Sequence, residues 1–369
     1  MSHRIGIGPN LRQSPYYQAT IEAGVESFSV YNHMLIPGSF GDPEAEYRRL
    51  IEGVAQWDVA AQRQVEVAGK DASRLLQYLT TRDVRGTAVG QGRYVPLCNH
   101  QGQLINDPVL LKLEEERYWL SLADADVALW AEATARALNY EVEIFEPDAS
   151  PMAIQGPKAV DLAADLFGSW VRELKYFWFR ETELAGIPLV LARSGWSKQG
   201  GFELYLTDKS RGGELWRLVR EAGQAYGIGP GAPNDLERLE SGLLSYGADA
   251  RVQTHPANPF ELGLGKLVDL DGEPFIGREA LQRIKAQGIT RRRVGFFIDG
   301  PPLSPNQAAL EIRSKGRPAG YVSELAYSRR LGRNIAVGMV ALDAEALTLV
   351  VEGEARGLSV TTLPFIKAA

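Results

Sequence analysis

The chain has 369 residues, more than one ordinary hydrophobic core accommodates, and its 45% hydrophobic and 23% charged composition is that of a soluble globular protein without a disordered tail. Net charge is -6 with acids and bases mixed, and the one dense basic run is Arg291-Arg292-Arg293, which excludes a phosphate-tracking surface and a nucleic-acid partner. A single cysteine, Cys98, excludes an intrachain disulfide and a thiolate zinc cluster.

The start, Met1-Ser2-His3-Arg4, runs into a Gly/Pro segment and not into an apolar leader. No apolar run approaches the roughly 20 residues that span a bilayer. The expectation is a cytoplasmic protein with no membrane partner. A homodimer is compatible with this composition.

Residues 42–57 show helical spacing at Tyr47, Leu50, Ile51 and Val54, with Asp42 as cap and Pro43 in the first turn. Residues 62–67 alternate like a strand, and 72–79 form a short helix after Asp71. Two strand-like runs, 93–98 and 103–113, flank a hairpin turn at Asn99-His100-Gln101-Gly102. Cys98 ends an apolar stretch and reads as a buried small residue, not a nucleophile. A strand at 118–122, a helix at 124–138 and a strand near 141–145 follow. The order then repeats loosely: a strand at 152–154, a helix from Gly156-Pro157 to Phe167, and a hairpin of 181–184 and 189–192 turning at Ala185-Gly186. A strand at 202–206 precedes a helix at 213–226. Gly227-Ile228-Gly229-Pro230-Gly231 reads as a turn, since Pro230 lacks the N–H of a phosphate cradle. The alternation is of the α+β kind. Residues 287–290 look like a linker. Beyond it lie only short strands (293–298, 311–313, 317–322, 336–342, 348–352, 358–362), spaced as in a small closed antiparallel domain.

No Rossmann or P-loop fingerprint and no Gly-x-Ser-x-Gly elbow is present. Four histidines lie scattered without metal-ligand spacing, so no metal is expected. Four local sequences stand out instead. Tyr31-Asn32-His33-Met34 is polar between apolar neighbours. Asn106-Asp107-Pro108 puts an amide and a carboxylate in a strand-like run. Residues 193–203 form a glycine-rich loop that ends on Glu203. Arg238-Leu239-Glu240-Ser241-Gly242 puts Arg and Glu on a helix.

In combination these resemble the glycine-cleavage T-protein superfamily. Its loop followed by Gly-x-Glu corresponds to residues 195–203, and its Arg-x-Glu-x-Gly helix to Arg238, Glu240 and Gly242. Gly247-Ala248-Asp249, Pro259-Phe260-Glu261-Leu262-Gly263-Leu264-Gly265, Phe275-Ile276-Gly277, Gly320-Tyr321-Val322-Ser323 and Asn334-Ile335-Ala336-Val337-Gly338 follow in order. The match spans nearly the whole chain. Within the superfamily, Val30-Tyr31-Asn32-His33-Met34-Leu35, Trp57-Asp58-Val59, Asn106-Asp107-Pro108-Val109 and Arg117-Tyr118-Trp119-Leu120-Ser121 are similar to the dimethylsulfoniopropionate demethylases.

The resemblance implies an α+β three-domain ring. Residues 1–286 would form two interleaved folate-binding domains and residues 287–369 a C-terminal antiparallel β-barrel domain. It also implies tetrahydrofolate as methyl acceptor and a small-molecule methyl donor. Glu203 would accept from the pteridine N–H groups. Arg238 is assigned with the folate, whose glutamyl carboxylates suit guanidinium groups. Tyr94, Trp196 and Tyr246 offer stacking faces. Tyr31, Trp178 and Trp196 offer faces for a sulfonium donor. Asn106, Asp107 and Tyr31 would stand at the reacting centre. Where the aminomethyltransferase resembles an Asp-Asp pair this chain has Asn106-Asp107, and an amide is no general base. Lys198-Gln199 replaces the relatives' Gly-Glu. The reading adopted is a demethylase that moves a methyl group from a small donor, dimethylsulfoniopropionate, to N5 of tetrahydrofolate; its rivals are an aromatic ether or methylated amine donor, glycine cleavage with a lipoyl carrier, and a non-catalytic folate binder.

Overall fold

A computed structural model of the chain describes residues 6–367. Residues 1–4, read above for a leader, lie outside the described residues. The chain forms two compact units, each assembled from separated segments. Unit 1 takes the residues up to Ala72, Thr87–Arg93 and Val109–Asn234. Unit 2 takes Ser73–Gly86, Tyr94–Pro108 and the residues from Asp235.

In chain order, α1 (Tyr17–Glu22) precedes a hairpin of β1 (Ser27–Tyr31) and β2 (Met34–Ser39). Then come α2 (Pro43–Glu52), β3 (Val54–Asp58), β4 (Gln64–Ala68) and α3 (Ala72–Leu79). Short strands β5 (Gly92–Tyr94), β6 (Leu97–Cys98) and β7 (Leu104–Asn106) lead to β8 (Val109–Glu114) and β9 (Arg117–Ser121). After α4 (Val127–Ala137) and β10 (Glu143–Phe145) come β11 (Ser150–Gln155), α5 (Ala159–Phe167), β12 (Phe179–Leu184), β13 (Ile187–Ala192) and β14 (Gly201–Leu206). α6 (Gly212–Ala222), β15 (Ile228–Gly231), α7 (Asp235–Ser241) and α8 (Arg278–Gln287) follow. The last strands are β16 (Arg291–Ile298), β17 (Leu310–Ser314), β18 (Arg317–Ser328), β19 (Arg333–Ala341), β20 (Leu347–Val351) and β21 (Glu354–Thr361).

Unit 1 is layered. A six-stranded sheet in the order β12-β13-β14-β11-β3-β15 carries α5 and α6 on one face, where Leu162, Leu215 and Val219 meet Ile154, Phe202 and Leu204. Its other face meets the five-stranded sheet β10-β4-β9-β8-β5 through Leu111, Leu113, Trp119, Val190 and Tyr205. The period of two along β14 therefore sends Phe202 and Leu204 to the helices and Glu203 and Tyr205 to the second sheet. In unit 2, β16-β19-β18-β17-β20-β21 close into an antiparallel barrel filled by Phe296, Ile312, Val322, Leu325 and Leu349. Cys98 packs with Leu270, Phe275 and Leu281 in a satellite core, and burial raises its thiol pKa.

Three sequence expectations are corrected. The helix read over 42–57 ends at Glu52, although Asp42 caps it by accepting from the Ala45 amide. Gly53, at φ -134°, ψ -125°, breaks it, and Val54–Asp58 is a strand buried on both faces. Apolar strand residues that happen to continue a helical spacing hid the switch. Residues 227–231 are no turn but contain β15, parallel to β3. It is an edge strand, so the missing N–H of Pro230 costs no ladder bond. The runs 93–98 and 103–113 each split in two, the second at Asp107-Pro108, where a residue without an N–H interrupts pairing. No helix among the described residues is long and apolar enough to cross a membrane.

Candidate functional site

In unit 1, Glu203 sits on β14 and is only 6% exposed. The Ser194 hydroxyl and the Tyr205 hydroxyl (3.1 Å) both donate to one of its oxygens, Oε2. Its other oxygen takes no hydrogen bond among the described residues and is not sealed from solvent. Burial pushes the carboxyl above its ordinary range, and the two donors oppose that shift. Tyr176, raised to about 12 by burial and then by the nearby Glu203 charge, stays a phenol.

The loop before Glu203 is braced from below by Gln155. Its amide donates to the Ser194 carbonyl (3.0 Å) and accepts from the Ser197 hydroxyl (2.8 Å). The brace requires glycine on either side. Gly195 (φ 145°) and Gly201 (φ 149°) lie so close to Gln155, and Gly201 to the Ile154 carbonyl, that a Cβ would overlap them. Trp196 is held half-buried between Gly195 and Ser197. Trp178, also half-buried, accepts from the Arg193 amide (2.9 Å) at the same end of the β12–β13 hairpin. The structure thus brings Glu203, Ser194, Trp196 and Trp178 to one loop region.

Tyr31 stands on a different hairpin of unit 1. Asn32 (φ 49°) and His33 (φ 60°) make its two-residue turn, a left-handed pair that Asn tolerates. The Asn32 amide is pinned to the Ala61 and Ala123 carbonyls (3.0 and 3.3 Å). Half-buried Tyr31 packs against the core under the sheet.

In unit 2, the Tyr94 hydroxyl donates to Asp107 at 2.7 Å. Burial pushes Asp107 up to about 7 despite that bond and its own backbone amide, and nearby Asp249 pushes the same way. Asn106 has the opposite fate: it pairs with Leu97 and is fully buried. Asp107 follows it just beyond the end of the strand, so the two adjacent candidates have different surroundings.

Arg238 is also corrected. It has no exposed surface, and every guanidinium nitrogen is committed. Nε donates to Glu324 (2.9 Å), Nη1 to Asp249 (3.0 Å) and the Leu243 carbonyl (3.1 Å), and Nη2 to both acids. Arg293 shares Asp249 (3.0 Å), which also accepts from Ser323 (2.6 Å). Flanked by two guanidiniums, Asp249 is held below the usual carboxylate range against burial. Arg238 therefore orders α7 against β16 and β18 and has no donor left for a folate tail. Tyr246, offered for stacking, is 6% exposed in the adjoining loop.

Sequence reasoning missed Ser194, Tyr205 and Gln155. Tyr205 was accessible to it, since two residues along a strand share a face. Gln155 carries no local signal.

Residues 16–272 match the GCVT N-terminal domain family and residues 291–367 the glycine cleavage T-protein C-terminal barrel domain. The chain is 42% identical over 330 residues to a dimethylsulfoniopropionate demethylase of Ruegeria pomeroyi, covering 89% of each. It is 31% identical over 378 residues to an aminomethyltransferase of Symbiobacterium thermophilum, covering 97% of this chain and 98% of that one. The crystal structure of aminomethyltransferase T of the glycine cleavage system from Bartonella henselae superposes with a TM-score of 0.82 over 97% of this chain and 99% of that chain, at 24% identity, which establishes the shared fold. The chain belongs to the glycine-cleavage T-protein family and is a transferase of one-carbon units that works with tetrahydrofolate.

Proposed function

We propose that the enzyme transfers a methyl group from dimethylsulfoniopropionate to N5 of tetrahydrofolate. The observation that carries this reading is the 42% identity to the Ruegeria demethylase over 89% of both chains, against 31% for the Symbiobacterium aminomethyltransferase. The N5 lone pair forms the new N–C bond as the S–CH3 bond breaks, and the electron pair leaves on sulfur as a neutral sulfide. The leaving group needs no proton, so positioning accounts for much of the acceleration. N5 must then lose its proton. Asp107, a carboxyl at about 7 beside Tyr94, is matched to accept it near neutral pH. Asn106 could not.

On this reading Glu203 accepts from the pteridine through its open oxygen. One oxygen serves this role, since Oε2 is filled by Ser194 and Tyr205. Trp196 and Trp178 offer their faces to the sulfonium. The test is a donor panel with tetrahydrofolate and detection of 5-methyltetrahydrofolate. Methyl transfer from dimethylsulfoniopropionate supports the reading. Turnover only with an aminomethyl lipoyl carrier would replace it with glycine cleavage.

A further inference from the structure

Behind Glu203 a line of buried polar side chains runs out of its own sheet and into the next. The Gln64 amide on β4 donates to its own neighbour, the Gln62 carbonyl, at 2.6 Å and to the Ser121 hydroxyl on β9 at 3.1 Å. A carbonyl oxygen can only accept, so the amide nitrogen must face Gln62, and Ser121 Oγ is thereby cast as acceptor. Gln64 Oε1 finds no partner among the described residues, so this side chain serves as a donor alone. The Ser121 proton is left free of Gln64 to face the Tyr205 hydroxyl, whose pKa Ser121 lowers against burial. Tyr205 in turn donates to Glu203 Oε2. Gln64, Ser121 and Tyr205 are at most 8% exposed, and the Tyr205 ring is set by its tilted contact with Trp119 at 6.1 Å.

We propose that Gln64, Ser121 and Tyr205 form a one-way donor chain that, together with Ser194, orients Glu203 with a single oxygen free for the pteridine. The three are positioning residues for tetrahydrofolate, two of them on a sheet that Glu203 does not belong to. Every link points its proton toward the carboxylate, so each polarises the next, and the chain is worth more than its separate bonds. The phenols of Tyr205 and Tyr176 are the titratable groups beside the carboxylate, and burial raises both, so neither competes as an anion near neutral pH. This inference rests on the reading of Glu203 as the pteridine acceptor.

The experiment is calorimetric titration of the full-length protein with tetrahydrofolate across pH 5 to 8.5. Tyr205→Phe keeps the ring and removes the donor, and it should weaken binding about three- to tenfold near neutral pH, the scale of one hydrogen bond to a charged group. Affinity should recover toward higher pH, because a carboxylate that has lost a donor ionises later. Ser121→Ala should do the same more weakly in the natural background. It should have no effect in a Tyr205→Phe background, because its influence passes through that hydroxyl. Equal losses from Ser121→Ala in both backgrounds, or losses independent of pH, would overturn the donor chain. If Tyr205→Phe does not fold, Ser121→Ala and Gln64→Leu alone must still move the pH midpoint upward, and an unmoved midpoint refutes the proposal. Glu203→Gln separates the two readings. If it leaves affinity intact, the assignment of Glu203 itself fails; if it weakens binding while the chain variants do not, only the chain fails.

Discussion

Glu203 and Asp107 are both carboxyls that burial makes weaker acids, yet their company differs. Glu203 has two hydroxyl donors on one oxygen, whereas Asp107 has one phenol and a neighbouring acid, Asp249. Asp107, with a folded value of about 7 against an ordinary 3.8, holds its proton more tightly when folded. Its contribution to stability is complete at acid pH and is lost as pH rises from about 4 to about 7. Chemical denaturation should show stability declining over that window, and Asp107→Asn should flatten the decline. An unchanged slope would mean that Asp107 is already ionised throughout. Turnover should rise over the upper part of the same window and lose that dependence in Asp107→Asn. At this scale the sequence singled out Gly201-Phe202-Glu203, whose carboxylate the structure buries beside Ser194 and Tyr205. It misled at Arg238, because the letters of a helix do not say which arginine is exposed and which is walled in by Asp249 and Glu324. Nor did they say that a strand would end on Asn106 and leave Asp107 outside it.

The loop between β13 and β14 holds the glycine-dependent brace on Gln155. Gly201→Ala would drive a Cβ into the Ile154 carbonyl at a φ of 149°. We expect a loss of about 1–3 kcal/mol in stability, the scale of strain at such a backbone position. Tetrahydrofolate affinity should fall with it, since Glu203 lies two residues on. A melting temperature and affinity both equal to those of the natural chain would show the loop to be more adaptable than its geometry indicates. Helix α7 depends on a different device. Arg238→Met takes a guanidinium partner from half-buried Glu324 and buried Asp249 and should destabilise the protein by about 3–5 kcal/mol. Its folded fraction should still bind tetrahydrofolate normally, which separates structural arginine from ligand contact. Hairpins and barrel strands were legible because they alternate and end on turn residues, as at Ala185-Gly186. β3 and β15 were not, because a doubly buried strand has no alternation and an edge strand tolerates proline.

The whole molecule is woven. Short stretches Ser73–Gly86 and Tyr94–Pro108 belong with residues after Asp235, although unit 1 segments flank them in the sequence. A chain cut after Asn234 would leave Cys98 without the Leu270, Phe275 and Leu281 that pack against it. It should therefore aggregate or melt without cooperativity, as followed by near-ultraviolet circular dichroism. A sharp, reversible transition from that fragment would show that it folds without the residues from Asp235 onward. The linker read at 287–290 marks where the barrel strands begin, but no local composition announces the four passages between units at Ser73, Thr87, Tyr94 and Val109.

That weave has a consequence for the chain's birth. During synthesis the segment bearing Leu97 and Cys98 leaves the ribosome long before its partners at Leu270 and Phe275 exist, a delay on the order of ten seconds or more at ordinary elongation rates. For that interval the nascent chain carries an apolar hairpin with nothing to cover it. That hairpin is where a chaperone would have to hold on.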